Sequence, residues 1–319
     1  MNLVIVESPA KCKSISKYLG QDYTVLASYG HFMDLPVKSL GVDITHDYEP
    51  QYCFDETKKA TIDKILKAAK KADKIYLATD PDREGEAISW HLFNTLHLNK
   101  DEECRIVFNE ISKSAIQKAV KSPRTLDMSL INAQQARRVL DRLVGYKLSP
   151  LLNLKIKNKL SGGRVQSVAL KLIIDREREI QFFVPEEYWT LNALFNKDDI
   201  DFKAALTEYN DKKIKPSSKE EMDKILSDLK DAEYKISDIN FSVTKSRPSA
   251  PYITSTLQQD ANNKLNYAST KTMQLAQKLY EGIDIEGEGH MALITYMRTD
   301  SVRISPEIQK EVKEYIIQN

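Results

Sequence analysis

The sequence predicts an α/β protein of more than one domain, and three observations predict it. Short apolar runs at Leu3–Val6, Ile75–Thr79 and Arg105–Phe108 alternate with amphipathic helical stretches over residues 1–120. A mostly helical, basic stretch then runs from Asp127 to Arg178, followed by period-two alternation over residues 189–209. The length of 319 residues, at roughly 150 residues per domain, corresponds to about two domains.

The elements follow in chain order. Leu3–Val6 reads as a buried strand. The helix Ala10–Leu19 follows, with Ser8 as its cap and Pro9 in its first turn. Ile62, Ile65, Leu66 and Ala69 recur at i, i+3, i+4 and i+7, so residues 57–72 read as an amphipathic helix. Ile75–Thr79 is a second buried strand, residues 85–96 a helix, and Arg105–Phe108 a third strand. Gly162-Gly163 breaks the basic helical stretch. Trp189–Phe195 and Asp201–Tyr209 alternate like strands. Ser217-Ser218-Lys219-Glu220 opens a helix whose stripe is Met222, Ile225, Leu226 and Leu229. Ile236–Val243 reads as a strand, and Arg247–Pro251 as a linker. A helical region over 255–280 closes at Gly282, and Ala292–Tyr296 reads as a strand. Ser305-Pro306 opens a last helix that runs to the end of the sequence.

Composition narrows the function classes. Hydrophobic residues make up 41% and charged residues 29%, which fits a globular chain. Cys12, Cys53 and Cys104 form no CxxC pair, which excludes a disulfide scaffold or a four-cysteine zinc site within these residues. No apolar run approaches the ~18 residues of a membrane span, and Glu7 interrupts the N-terminal run too early for a signal peptide. A cytoplasmic location is the expectation. Overall charge is +1, but Arg137–Lys171 carries nine Lys/Arg against Asp141, a net of +8 that leaves −7 elsewhere. Such a stretch suits a polyanion footprint, and equally a solvated helix face.

Chemistry-bearing residues gather in a few segments. Asp80-Pro81-Asp82-Arg83-Glu84-Gly85-Glu86 follows a buried strand directly, where ligands of open α/β sheets gather. Four carboxylates in seven residues repel one another unless a cation offsets them. Oxygen-only donors suit Mg²⁺. The alternative is a solvated acidic turn. Glu7 also ends a buried strand, so parallel pairing brings it beside Asp80. Lys11 and Lys13 sit on the first helix, and such ammonium groups near a helix start favour a phosphate. There is no GxxxxGK[ST], so no ATP-binding loop is indicated. Ser161, Gly162, Gly163, Arg164, Val165 and Gln166 combine a close-approach glycine pair with hydrogen-bonding groups. They suit a sugar-phosphate chain or a plain helix-to-helix turn. Tyr296 is followed two residues on by Arg298. A phenol serves as a covalent nucleophile when its proton is removed and a bidentate guanidinium holds the target phosphate, although most tyrosines are core or surface residues.

In order along the chain, these segments resemble the bacterial type IA DNA topoisomerases, specifically the topoisomerase I branch. The resemblance rests on LVIVESPAK (3–11), GHFMDLP (30–36), DPDREGE (80–86), NAQQARRVLDRLVGY (132–146), SGGRVQS (161–167), Pro251–Gln259 and TYMRTDS (295–301).

The resemblance implies a fold. Residues 1–120 would be a Toprim metal-binding α/β domain, 125–185 part of a helical DNA-groove domain, 186–247 part of a β arch, and 250–319 the start of a helical tyrosine domain. It also implies an activity, the ATP-independent relaxation of negatively supercoiled DNA. Tyr296 would attack a phosphate of single-stranded DNA, leaving a 5′-phosphotyrosine and a free 3′-hydroxyl. A second strand would pass, and Mg²⁺-dependent religation would follow. Tyr296, Arg298, Glu7 and Lys11 would be catalytic; Glu7, Asp80, Asp82 and Glu84 would serve the metal. His31, Arg137, Arg138, Asp141, Tyr146 and residues 161–166 would track the DNA. A nucleoid-associated cytoplasmic monomer is implied, with DNA as partner and no membrane. Family members are longer, so this chain is expected to be an N-terminal portion. Two other readings stand beside it: another Toprim nuclease or primase, and a non-catalytic fragment that only binds single-stranded DNA.

Overall fold

The computed structural model describes residues 1–319, which divide into two compact units. One comprises Met1–Arg164 with Pro248–Asn319, the other Val165–Arg247.

The first unit is built on β1 (Asn2–Val6). It is followed by α1 (Pro9–Leu19) and β2 (Tyr23–Ala27), then by short antiparallel pairs made by β3 (Met33–Asp34) with β6 (Cys53–Phe54) and by β4 (Val42–Asp43) with β5 (Glu49–Pro50). Next come α2 (Lys59–Ala69), β7 (Ile75–Leu77), α3 (Arg83–Thr95), α4 (Lys113–Lys121) and the 28-residue α5 (Met128–Lys155). The main sheet is parallel in the order β2-β1-β7, with Leu3 opposite Ile75 and Ile5 opposite Leu77. Leu3–Val6 of β1 is apolar throughout because both faces are covered. Leu3 and Ile5 pack into a core with Ile62, Ile65, Ile88 and Leu92. Val4 and Val6 face the other way, toward Ile15, Ile116, Val120, Tyr280 and Tyr296. The side-chain period of two thus splits one strand between two cores.

Several expectations need correction. Arg105–Phe108 forms only single bridges, Leu77 with Arg105 in parallel and Arg105 with Arg124 antiparallel. Leu77 O accepts from Ile106 N–H, but one step on the Arg105 guanidinium takes the Thr79 carbonyl, the acceptor that a longer neighbouring strand would use, and also bonds Asp80 O. β2 was not expected; its residues are half-buried and lack a clean alternation.

α6 (Arg164–Gln181) begins at the unit boundary after Gly162-Gly163, as the glycine break predicts. The second unit then holds the antiparallel hairpin of β8 (Asn192–Lys197) and β9 (Ile200–Ala205), the pair of β10 (Glu208–Tyr209) and β11 (Lys212–Lys213), and α7 (Lys219–Leu229). Ser218 caps α7 by accepting from Glu221 N–H, and Met222 and Ile225 are buried. Ile236–Val243 is not a strand. Its apolar side chains are exposed and no strand pairs with it.

The remainder of the first unit is α8 (Thr254–Leu265), α9 (Ser269–Glu281), the hairpin β12 (Ile283–Ile285) with β13 (Gly289–Met291), and α10 (Pro306–Gln318) capped by Ser305. Left-handed Asn266 splits the expected 255–280 helix in two, and Gly282 ends the second part. Ala292–Tyr296 is not a strand either. Leu293 N–H goes to Leu279 O and Tyr296 N–H to Asn109 O at 2.7 Å, two unrelated acceptors that give no ladder. No helix is long and apolar enough to cross a membrane.

His91 on α3 is buried against the rings of Tyr52 and Trp90. Burial, with a contribution from His31, pushes its pKa down to about 4. An unfolded histidine titrates near 6.5, so the unfolded chain takes up this proton first as pH falls. The contribution to stability is therefore complete above pH ~6.5 and is lost, by up to about 3 kcal/mol, as pH falls toward ~4. Urea unfolding across that window is expected to show a shallower pH slope in His91→Phe than in the natural protein.

Candidate active site

The parallel register of β1 and β7 brings two carboxylates to one sheet edge. Asp80 N–H donates to Glu7 Oε2 at 3.0 Å. The Lys11 ammonium, one turn into α1 and fully buried, bonds both Glu7 and Asp80. Ser8 caps α1, and Pro9 opens it with a φ already suited to a helix. Burial works against the Lys11 charge, yet Glu7 and Asp80 together hold its pKa above the usual lysine value. Burial pushes Glu7 up to about 7, against the pull of Lys11.

The acidic turn divides into distinct parts. Asp82 caps α3, accepting from Gly85 N–H at 2.8 Å. Glu84 accepts from Gln134 of α5 at 3.1 Å and lies 3.4 Å from His31 Nε2. The His31 contact leads the influences that hold Glu84 below the usual carboxylate range. Glu86 turns inward. It is buried, bonded by Arg105 and Arg124, and accepts from Asp127 N–H. The fourth carboxylate of the motif is thus structural, anchoring the turn to the start of α5. A Cβ on Gly85 would lie 2.2 Å from the Asp80 carbonyl oxygen, so the turn closes only around glycine.

Tyr296, far along the chain, arrives at this cluster. Its hydroxyl donates to Asp82 Oδ2 at 2.6 Å, and Arg298 Nη1 lies 3.7 Å from the same oxygen. Thr254 at the head of α8 shapes the segment, its hydroxyl bonding the carbonyls of Met297 and Thr299. Burial, then Asp80 and the bond to Asp82, raise the Tyr296 pKa far above that of a free phenol, with Arg298 opposing. The resting phenol therefore keeps its proton.

A cavity of about 980 Å³ opens on the cluster, lined by Glu7, His31, Asp80, Asp82, Glu84 and Arg298, with α9 as its other wall. His31 and Glu84 also line a neighbouring cavity of about 260 Å³ that includes Gln134, Arg137, Arg138 and Asp141. Arg138 and Asp141 belong in turn to a third, of about 490 Å³, with Arg142 and Tyr146. Each neighbouring pair shares residues, and the series runs from the cleft of Asp82 and Arg298 along the basic face of α5.

The groove residues are engaged in distinct ways. Asp141 receives Arg164 at 2.8 Å and Arg137 at 3.7 Å. Arg138 is spent on Asp34, while Arg142 holds the Leu35 and Pro36 carbonyls and packs on the Tyr146 ring. The Tyr146 hydroxyl bonds the Val37 carbonyl. Gly162 N–H donates to Ser149 Oγ, and a Cβ there would strike Leu148, so the 161–163 turn lies directly on α5. Ser161 precedes this contact, and Gly163 leads into α6, where Arg164, Val165 and Gln166 form the first turn.

Comparison with known proteins places this geometry. Residues 2–111 match the Toprim domain and residues 125–319 the DNA topoisomerase family. The chain belongs to the bacterial type IA DNA topoisomerases. Full-length topoisomerase I from Thermotoga maritima is 42% identical, with a TM-score of 0.85 over 99% of this chain and 52% of that one. This topoisomerase chain therefore spans about half the length of that solved structure.

Sequence reasoning missed Gln134, Thr254, Tyr280 and the Glu86–Arg105–Arg124 network. Gln134 and Thr254 lie inside quoted motifs, but nothing in their spacing announces a partner 50 or 45 residues away.

Gly85→Ala is expected to destabilise the topoisomerase chain by about 1–3 kcal/mol, because backbone rather than a flexible side chain must move. Chemical denaturation measures it; an unchanged stability would contradict the close packing of the acidic turn.

Proposed function

We propose that this chain carries the cleavage site of a type IA topoisomerase, which relaxes negatively supercoiled DNA without ATP through a 5′-phosphotyrosine, strand passage and religation. The observation that carries the reading is the Tyr296 hydroxyl donating to Asp82, 214 residues away, a carboxylate that lines a cavity continuing along a basic helix. Single-stranded DNA would follow that track, with Arg137, Arg164 and the 161–166 turn beside its phosphates and His31 at the junction of the two cavities. Arg138, Asp141 and Tyr146 would hold the shape of the track, since Asp34, the two arginines and Val37 already engage them.

The chain's own residues divide the chemistry. Asp82 Oδ2 accepts the Tyr296 hydrogen bond at rest and takes that proton as the phenol oxygen bonds phosphorus and the 3′-oxygen departs. Arg298, half in solvent beside the same carboxylate, turns to the phosphate and stabilises its developing charge. Lys11 adds a second positive charge from below. Glu7, raised to about 7, suits a group that gives a proton to the departing 3′-oxygen and takes it back on resealing. Asp80, Asp82 and Glu84 fit Mg²⁺. With Glu7 they are oxygen donors lining one cavity; no three of them converge in this structure, so one or two would hold the ion, with water and phosphate completing its shell. When bound, Mg²⁺ would supply charge that orients the 3′ end for rejoining.

The domain partition follows the same reading: Toprim over 1–120, groove helices over 125–185, arch over 186–247, and the tyrosine domain from 250. The protein acts as a monomer on single-stranded or negatively supercoiled DNA in the nucleoid-bearing cytoplasm.

Tyr296→Phe is expected to abolish the covalent adduct with a labelled single-stranded oligonucleotide while leaving binding within about twofold, as expected for a group used only in the transition state. Adduct persisting in the variant would overturn the assignment. Nicked DNA with no protein attached would favour a Toprim nuclease instead, and binding without cleavage a DNA-holding fragment. Arg137→Gln is expected to reduce the slope of log affinity against log salt by about 0.7, one phosphate contact on a single strand. An unchanged slope would remove Arg137 from the track.

A further inference from the structure

One group at the site has no role in that chemistry. Tyr280, at the end of α9, is fully buried, and its hydroxyl has no hydrogen-bond partner. Buried hydroxyls are nearly always paired, so an orphan of this kind calls for an explanation. Its ring lies edge-on to Tyr296, with centroids 5.3 Å apart and planes at 68°. The Lys11 ammonium sits 5.1 Å from the same ring. One side chain therefore touches both the phenol and the cation of the cluster, and meets them through its π face and edge rather than through its oxygen.

The next residue fixes that placement. Glu281 accepts from Ser8 Oγ with its carboxylate and from Ser14 Oγ with its backbone carbonyl, which ties the end of α9 to α1, the helix that carries Lys11. Burial, then Asp80, Glu7 and Tyr296, raise the Tyr280 pKa well above the usual phenol value, so its hydroxyl keeps its proton and remains a donor.

Resting on the cleavage reading above, we propose that Tyr280 is a positioning residue: its ring aligns Tyr296 and Lys11 together, and its hydroxyl is held for an oxygen that arrives with the DNA phosphate. The idle donor in the free protein and the ring contacts to both reactive groups then have a single cause. A residue kept only for packing would serve as well as phenylalanine, without a buried unpaired oxygen.

The test compares Tyr280→Phe and Tyr280→Leu with the natural sequence in the full-length protein. It measures melting temperature, single-stranded DNA affinity, and the single-turnover cleavage rate at saturating DNA. Phe is expected to melt at the same temperature or higher and to bind DNA equally, yet to cleave about fivefold to tenfold more slowly, the loss of one buried hydrogen bond. Leu is expected to cleave about a hundredfold more slowly with affinity retained, as for a misplaced nucleophile. Phe cleaving at the natural rate, or Leu cleaving as fast as Phe, would overturn the proposal. Should Leu not fold, the Phe comparison decides alone. Absence of any adduct from the natural sequence would overturn the cleavage reading, and this proposal with it.

Discussion

One buried ammonium group makes the site possible. Parallel pairing of β1 with β7 forces Glu7 and Asp80 to the same sheet edge, with Asp80 N–H on the Glu7 carboxylate. Two carboxylates at that separation, shielded from water, repel unless a cation stands between them. Lys11 is that cation, and the first turn of α1 delivers it because Ser8 and Pro9 start the helix directly after Glu7. Asp82 is thereby left to cap α3 and to receive Tyr296, and Glu84 to face His31 and the cavity.

A second buried network keeps this arrangement rigid from behind. Arg105 binds the Leu77 carbonyl at the end of β7 and pairs with Glu86, which also holds Arg124 and the backbone just before α5. The acidic turn is thus joined to the helix that carries the basic groove. The shared residues of the three cavities follow from this, since α3 and α5 pack side by side with Glu84 and Gln134 between them. Charge that nearly cancels over the whole chain is separated locally into an acidic cleft and a basic face, the pattern suited to gripping a phosphate chain beside a cation site.

Much of this was legible in the sequence, and the reasons differ by residue. β1 and α1 were readable because an apolar run, a serine cap and Pro9 are local signals. The meeting of Glu7 with Asp80 was readable too, because both end strands expected to pair in parallel. That Tyr296 and Asp82 serve one reaction came only from the family resemblance, and their hydrogen bond only from the structure, since no local pattern links residues 214 positions apart. Glu86 looked like its acidic neighbours until its partners were in place. Ile236–Val243 and Ala292–Tyr296 have strand-like composition, but a ladder needs a partner and neither has one. Arg138 reads as a free groove cation, yet the Asp34 carboxylate occupies it.

The convergence of Tyr296 on the carboxylate cluster is tested most directly by locating the covalent bond itself. The protein is incubated with a single-stranded oligonucleotide, denatured, digested with protease and nuclease, and its peptides are read by mass spectrometry. A nucleotide joined through its 5′-phosphate to Tyr296 is the expected result. A linkage at any other residue, or through a 3′-phosphate, would contradict it.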